Sequence, residues 1–308
     1  MKQILLFILL IFPLTGLSQN KNGFDLKNSL IPHQQVLHGG PPRDGIPALD
    51  SPKFLTLKES NFLQAEDRIL GIVIDQQARA YPIKILNWHE IVNDQIADQS
   101  FVITYCPLCG SGVAFSSQVK GENLVFGVSG LLYNSDVLLY DRKTDSLWSQ
   151  ILRKGVSGKF SGVQLNQLPL AHTTWKAWQQ KYPDSLVLSN QTGFSRNYEN
   201  NPYQGYEKSR QLYFNVNQKA PDLYHPKERV LGIEIKNTFK AYPFVELNQS
   251  DRPIIDDVVG TQKISIHWDQ SNQSGIVMDT KGIEIPTIQL FWFAWYTFHP
   301  ETLIYQNN

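Results

Sequence analysis

Cys106 and Cys109 are the only cysteines of the 308-residue chain, and they lie three positions apart in the sequence TYCPLCG. This spacing brings both sulfurs to one side of a tight turn, and Gly110 tolerates the left-handed bend that such a turn needs. Thiolates select soft transition metals such as Cu(I), zinc and iron. The pair therefore indicates either a metal site or a disulfide.

A third ligand is needed, because structural zinc sites take four ligands, usually from two cysteine pairs, and this chain has one pair. We expect residues 85–96 to form a short helix that carries Ile85, Trp88 and His89 on one face. His89 is then the candidate imidazole for a site with Cys106 and Cys109. This set favours Cu(I), with zinc or iron as alternatives, and the other interpretation of His89 is a hydrogen-bonded core residue.

The same cysteines could serve as a thiol/disulfide redox pair. A redox-active pair of the thioredoxin type lies at a helix N-terminus, where the thiol pKa is lowered. Here GSGVAF follows, and it predicts a turn and a strand. A third possibility is a non-catalytic binding module in which a structural disulfide between Cys106 and Cys109 fastens the turn. The sequence leaves all three open and predicts no particular reaction.

A second, weaker copy of the same module lies downstream. RILGIVI from Arg68 matches RVLGIEI from Arg229 at an offset of 161 (229 − 68). The offset is 163 at the cysteines, where copy two has Asp269 and Asn272, and Ser250 stands at the place of His89. Asp and Asn are common turn formers. We therefore expect the turn to form without sulfur, so that the chemistry belongs to copy one.

Copy one also contains an extra segment within residues 116–168. Pro169 matches Pro286 at an offset of 117 (286 − 169), so copy one holds 46 residues (163 − 117) that copy two lacks. We expect this segment to wall a pocket beside the cysteines, although a surface hairpin with a paired Asp141 and Arg142 is the simpler alternative. The candidate pocket residues are Trp88, Glu90, Tyr105, Tyr133, Asn134, Ser135, Asp136, Arg142 and Trp148.

The predicted fold is α+β, with two tandem related lobes of mostly antiparallel strands and short helices. Residues 1–18 have the positive start, apolar run and small-residue end of a signal peptide. The predicted organisation then continues with an extended arm (19–52), lobe one (53–190), a linker (191–223) and lobe two (224–308).

Export to the periplasm or the cell exterior is the expected location. No later apolar run reaches the roughly 20 residues of a membrane-spanning helix. Removing the signal leaves 27 basic residues (28 − 1) against 28 acidic ones. Without a basic stripe, the chain is not expected to bind nucleic acid. His89-Glu90 lacks the second histidine of an HExxH zinc motif.

Four motifs carry a family resemblance: NWHEIVND from Asn87, TYCPLCG from Thr104, SGLLYNSD from Ser129 and LWSQ from Leu147. With these motifs the chain resembles the prokaryotic family known as DUF3179, a domain of unknown function. The resemblance covers most of the mature chain. It implies an exported or membrane-associated protein, and it implies no particular reaction.

Overall fold

The structure is a computed structural model that describes residues 20–307. The predicted signal peptide, residues 1–18, lies outside the described residues. The predicted arm contains regular structure: a 3-10 turn at His33–Gln35 and short strands. These strands are β1 (Asn20–Lys21), β2 (Phe24–Asp25) and β3 (Val36–His38), followed by β4 (Phe54–Leu55) and a second 3-10 turn, Leu57–Glu59.

Copy one begins with a hairpin, whose two turn residues, Asp75 and Gln76, have φ values of 47° and 63°. Its elements are β5 (Arg68–Ile74), β6 (Gln77–Pro82), α1 (Ile83–His89), β7 (Ile91–Ile96), β8 (Gln99–Cys106) and β9 (Ser111–Ser116). The predicted helix over 85–96 is wrong beyond His89. Glu90, at φ 57°, ends the helix, and the following residues pair with β8 along their whole length.

The extra segment of copy one is also built from strands. They are β10 (Gln118–Val119), β11 (Glu122–Asn123), β12 (Phe126–Tyr133), β13 (Asp136–Asp141), β14 (Leu147–Ser149), β15 (Lys154–Ser157) and β16 (Gln167–Leu168). Copy one closes with β17 (Ala171–Thr174), α2 (Trp175–Lys181) and β18 (Leu186–Leu188). Thr174 caps α2, because its hydroxyl accepts a hydrogen bond from the Ala177 N–H at 3.2 Å.

Residues 191–223 contain neither helix nor strand. Copy two follows with β19 (Arg229–Ile235), β20 (Thr238–Pro243), α3 (Phe244–Leu247), β21 (Ile254–Val259), β22 (Gln262–Asp269), β23 (Ser274–Asp279), β24 (Glu284–Ile285), β25 (Ile288–Phe291), α4 (Trp292–Phe298) and β26 (Leu303–Ile304). Within residues 20–307, no helix combines the length and apolar character that crossing a membrane requires.

The strands are mostly antiparallel. One sheet has the order β15-β14-β13-β12-β3, so the arm pairs with the extra segment. A second sheet runs β17-β5-β6-β18-β4, and a third runs β21-β22-β23-β24. The largest runs β26-β20-β19-β25-β9-β8-β7, with β16 beside β9. It contains strands of both copies, joined where Gln289 of β25 pairs with Gly112 of β9.

The turn of copy two forms without sulfur. β22 ends at Asp269 and β23 begins at Ser274, just as β8 ends at Cys106 and β9 begins at Ser111. The backbone N–H and the side-chain amide of Asn272 donate to the Asp269 carboxylate at 3.1 and 2.7 Å. The two side chains that replace the cysteines thus satisfy each other, and the fold does not require the thiols.

Candidate metal centre

The cysteine turn connects β8 to β9 and is held by copy two. Cys106 is the last residue of β8, and the Cys109 carbonyl accepts a hydrogen bond from the Phe291 N–H at 2.8 Å. Gly110 has φ 61°, and a Cβ added there would lie 2.8 Å from the Phe291 ring. Both the left-handed backbone and the close approach of this ring therefore require glycine.

Gln150 of the extra segment fixes the base of this hairpin. Its side-chain amide nitrogen donates to the Thr104 hydroxyl at 2.8 Å, and its carbonyl oxygen accepts from the Ser111 hydroxyl at 2.6 Å. All three side chains are fully buried. Because these bonds are shielded from water, they hold the two strands in register directly below the thiols.

The tip of the β12–β13 hairpin lies against the thiols. Asn134 and Ser135 form its two-residue turn, with φ values of 53° and 66°. The Ser135 carbonyl accepts hydrogen bonds from Cys106 Sγ at 3.5 Å and from Cys109 Sγ at 3.4 Å. Both cysteines are free thiols. The extra segment thus borders the cysteines, as the sequence predicted.

Asp136 follows this tip and completes a cluster with the cysteines. One ligand atom each from Cys106, Cys109 and Asp136 lies within 4.8 Å of the other two, and all three residues are buried. Asp136 Oδ2 accepts a hydrogen bond from the Ile151 N–H at 3.1 Å. Asp136 Oδ1 is buried and has no hydrogen-bond partner among the described residues. A carboxylate oxygen in that state has a lone pair available for a cation.

Burial dominates the electrostatics of the cluster. It raises the pKa of Asp136 to about 8; the Ile151 N–H opposes this shift and nearby Glu90 reinforces it. Burial alone raises the pKa of Glu90 to about 8. Burial, followed by the neighbouring Cys106, raises the pKa of the Cys109 thiol well above its usual range. Without a cation these groups hold protons at neutral pH, and a metal ion would replace those protons.

Glu90 also has an unusual backbone conformation, because it is a non-glycine residue with φ 57° and ψ −32°. Such a conformation costs on the order of 1–3 kcal/mol and is often found at functional sites. The Glu90 carbonyl accepts from the Tyr105 N–H at 2.7 Å, which ties it to β8 just before Cys106. The conformation allows the chain to turn directly from α1 into β7.

The structure corrects the prediction for His89, which lies outside the cluster. Its Nδ1 is 2.8 Å from the Pro47 carbonyl and its Nε2 is 2.7 Å from the Tyr198 hydroxyl. Because a carbonyl only accepts, Nδ1 carries the proton and Nε2 accepts from the tyrosine. Burial lowers the pKa of His89. Both ring nitrogens are occupied, so His89 is the hydrogen-bonded core residue of the alternative interpretation.

Two other candidates have polar partners other than the cluster residues. The Trp148 indole is fully buried and donates to Asp141 Oδ2 at 3.0 Å. Arg142 forms an ion pair with Asp44 at 3.0 Å, with a third of its side chain exposed. These contacts do not support a role for either residue in binding a ligand, whereas Asp136, another of the candidate pocket residues, is in the cluster.

Trp88 and Tyr133 are structural neighbours of the site. The Trp88 indole donates to the Asn200 carbonyl at 3.1 Å. The Tyr133 ring packs edge-on against Phe298 of α4, with ring centroids 5.6 Å apart. Tyr105 borders a cavity of about 610 Å³ together with Pro107. These residues connect the site to the linker, to α4 and to solvent.

Residues 191–223 were predicted to be only a linker, yet they contribute a buried side chain beside the cysteine turn. Tyr206 is 2% exposed, and its hydroxyl has no hydrogen-bond partner in the part of the chain that the structure describes. Burial, then Cys109 and Cys106, raise the pKa of Tyr206 above its usual range. Tyr206 belongs to the same buried core as Cys106 and Cys109. The available signal was the aromatic content of this polar segment, with tyrosines at 198, 203, 206 and 213.

The fold and the cluster together define a mostly antiparallel β protein with a buried Cys-Cys-Asp set of potential metal ligands. The chain belongs to the family described as "Protein of unknown function (DUF3179)", whose sequence profile matches residues 43–302. This match confirms the resemblance found in the motifs. No curated protein and no solved structure gives a significant match to the chain.

Proposed function

We propose that the protein binds a transition-metal ion through Cys106, Cys109 and Asp136. The observation that carries this proposal is the convergence of three buried donor atoms within 4.8 Å of one another. The unpartnered Asp136 Oδ1 supports it, because a buried polar atom without a partner costs on the order of 1–3 kcal/mol. A bound cation would remove that cost and stabilise both thiolates.

The donor set favours Zn(II) or Fe(II) over Cu(I). The preference for Cu(I) depended on an imidazole from His89, and the third donor in the cluster is instead a carboxylate. Carboxylate oxygen is a harder ligand than imidazole and, together with thiolates, suits zinc or iron better. Zinc sites with three protein ligands keep a fourth position for water or substrate. Tyr206 and Glu90 are the neighbouring groups that could contact a ligand at that position.

Metal analysis of anaerobically purified protein tests the proposal. We expect about one equivalent of zinc or iron in the wild type and a loss of most of it in Cys106→Ser and in Asp136→Asn. His89→Gln should keep its metal, since His89 lies outside the cluster. Asp269→Ser is the matched control, because it alters the equivalent turn position in copy two. Equal metal content in the wild type and Asp136→Asn would refute the proposed ligand set.

A thiol/disulfide redox function is the second candidate, because both thiols hydrogen-bond to the one Ser135 carbonyl. Two features weigh against it: β9, a strand, follows the turn, and burial raises the pKa of Cys109, which disfavours the reactive thiolate. Reversible two-electron oxidation of the metal-free protein, measured by thiol alkylation and mass spectrometry, would favour it. A disulfide that persists in reductant would instead favour the structural-disulfide interpretation.

We also propose that the protein is exported to the periplasm or the cell exterior and that its two copies are related lobes. Residues 1–18 support export, and the sulfur-free turn of copy two supports the relation between the copies. Cell fractionation of a tagged full-length chain tests the first proposal. Recovery of the tag only in the cytoplasm would contradict it.

A further inference from the structure

A cavity of about 610 Å³ opens beside the cysteine turn. We call it the arginine cavity. The first strands of both copies and the segment 198–208 enclose it, and the residues of interest in its wall are Arg68, Arg229, Tyr105, Tyr203, Tyr206 and Pro107. Pro107 lies between the two cysteines in sequence. The cavity therefore connects solvent to the turn that carries the thiols.

The buried part of the arginine cavity wall has more positive than negative charge. Lys84 is neutralised by Asp67 and Glu199, each at 3.0 Å. Arg229 pairs with Glu207 at 2.8 Å. These pairs account for the acidic residues of the wall.

Arg68 is different, because it donates to the backbone carbonyls of residues 172, 272 and 273 and forms no ion pair among the described residues. Burial, and next the charge of Arg229, lower the pKa of Arg68 to about 10. The two guanidinium groups thus repel each other in a partly desolvated place, and only Arg229 has a carboxylate partner, Glu207.

Unused hydrogen-bond donors lie on the same wall. Arg229 Nη1 is buried and has no partner within residues 20–307. The Tyr206 hydroxyl also has none. Tyr105 and Tyr203 also line the wall, and phenol hydroxyls keep their protons at neutral pH and can donate. Guanidinium and phenol donors together suit an oxyanion, which offers only acceptors.

We infer that the arginine cavity binds a small oxyanionic ligand, a carboxylate or a phosphate, between the Arg229 guanidinium and the Tyr206 hydroxyl. The ligand would offset the mutual repulsion of Arg68 and Arg229. Its oxyanion would lie on the cysteine side of the cavity. The inference rests on the proposed function only in placing this ligand next to the metal ion; the anion site itself consists of residues that are not metal ligands.

Calorimetric titration with inorganic phosphate and, separately, with succinate tests the inference. Both titrations are made on metal-free protein in chelator and on metal-loaded protein. We expect at least one of the two probes to bind the metal-free wild type. Binding of phosphate alone identifies a phosphate site, and binding of succinate alone identifies a carboxylate site.

Arg229→Gln should weaken binding by about tenfold or more, which corresponds to the loss of a charge-assisted hydrogen bond. Tyr206→Phe, which keeps the ring, provides a second test and should weaken binding by at least about threefold. Arg210→Gln removes the same charge from an exposed residue paired with Asp222 outside the cavity wall, and it should bind as the wild type does. Circular dichroism establishes that each variant is folded.

Two results would overturn the inference: no binding of either probe, or binding that Arg229→Gln and Tyr206→Phe leave unchanged. The metal-free titrations separate this outcome from the fate of the proposed function. Anion binding by a protein that holds no metal would support the anion site in the arginine cavity and contradict the proposed metal site. A full equivalent of metal with no anion binding would do the reverse.

Discussion

Replacing Gly110 by alanine should destabilise the protein through two separable effects. The first is backbone strain, since φ is 61° and a left-handed conformation costs a non-glycine residue about 1–2 kcal/mol. The second is overpacking, since the new Cβ would lie 2.8 Å from the Phe291 ring. Inserting a methyl group into a packed core typically costs about 1–3 kcal/mol more. The expected total decrease in the free energy of unfolding is about 2–5 kcal/mol.

Gly121→Ala is the matched control for the backbone effect. Gly121 has φ 80°, but an added Cβ would meet no atom within 4 Å. Its substitution should therefore show the strain without the overpacking. Urea unfolding followed by tryptophan fluorescence measures both variants at one pH. The difference between them should be about 1–3 kcal/mol, the steric part alone.

A double variant tests the assignment of that difference to Phe291. In a Phe291→Leu background, Gly110→Ala should cost no more than Gly121→Ala does, because the aromatic ring that it would meet is gone. The displaced turn should also lower the metal content of Gly110→Ala and not that of Gly121→Ala. Equal destabilisation by the two glycine substitutions in the wild-type background would refute the reasoning.

The remaining predictions concern three buried side chains of the scaffold. Burial lowers the pKa of His172 well below its usual range, whereas the unfolded chain binds that proton near pH 6.5. The contribution of His172 to stability is therefore complete above about pH 6.5 and is lost below it. Between pH 7 and pH 5 the free energy of unfolding should fall by about 2 kcal/mol because of His172. In urea unfolding, His172→Gln should lack this part of the decrease, and a pH profile equal to that of the wild type would contradict the assignment. Trp148→Phe should cost about 1–3 kcal/mol, because the buried Asp141 loses its indole donor, while metal content stays at the wild-type level; a loss of metal would instead make Trp148 part of the site. Gln150→Ala should lower the free energy of unfolding by about 2 kcal/mol or more, because the buried hydroxyls of Thr104 and Ser111 each lose a hydrogen bond to Gln150. It should also lower metal affinity in a competition titration with a chelator.

The local elements of copy one were largely predictable. The apolar run ILGIVI followed by the polar DQQ is typical of a strand that ends in a turn, as at β5 and β6, and threonine is a common residue at the start of a helix, as Thr174 is at α2. The helix predicted over 85–96 failed after His89 because periodicity in a short apolar run does not distinguish helix from strand. Residues 91–96 are strand because β8 provides a complete hydrogen-bonding partner for them.

The candidate site was predicted in part. The cysteine pair and the neighbouring turn at 133–136 were recognised from their residues, and the structure brings them together. His89 was proposed as the third ligand because it is close to the cysteines in sequence and because copy two lacks it. Its ring is instead oriented by Pro47 and Tyr198, neither of which was expected to contact it. Sequence proximity gave no information about that orientation.

By itself, the sequence determined that copy one carries the thiols, that the turn forms with or without them, and which extra segment accompanies them. These features depend on residue type and on comparison between the two copies, and both can be read along a single chain. Only the tertiary structure decided that Asp136 clusters with the two cysteines, that Tyr206 packs in the same core as the thiols, and that Arg68 and Arg229 share one cavity. Asp136 lies 30 residues from Cys106 in the sequence (136 − 106), and Tyr206 lies 100 residues from it (206 − 106). Contacts at such separations depend on how sheets pack and on which neighbours compete for each polar atom, and no local pattern encodes that competition.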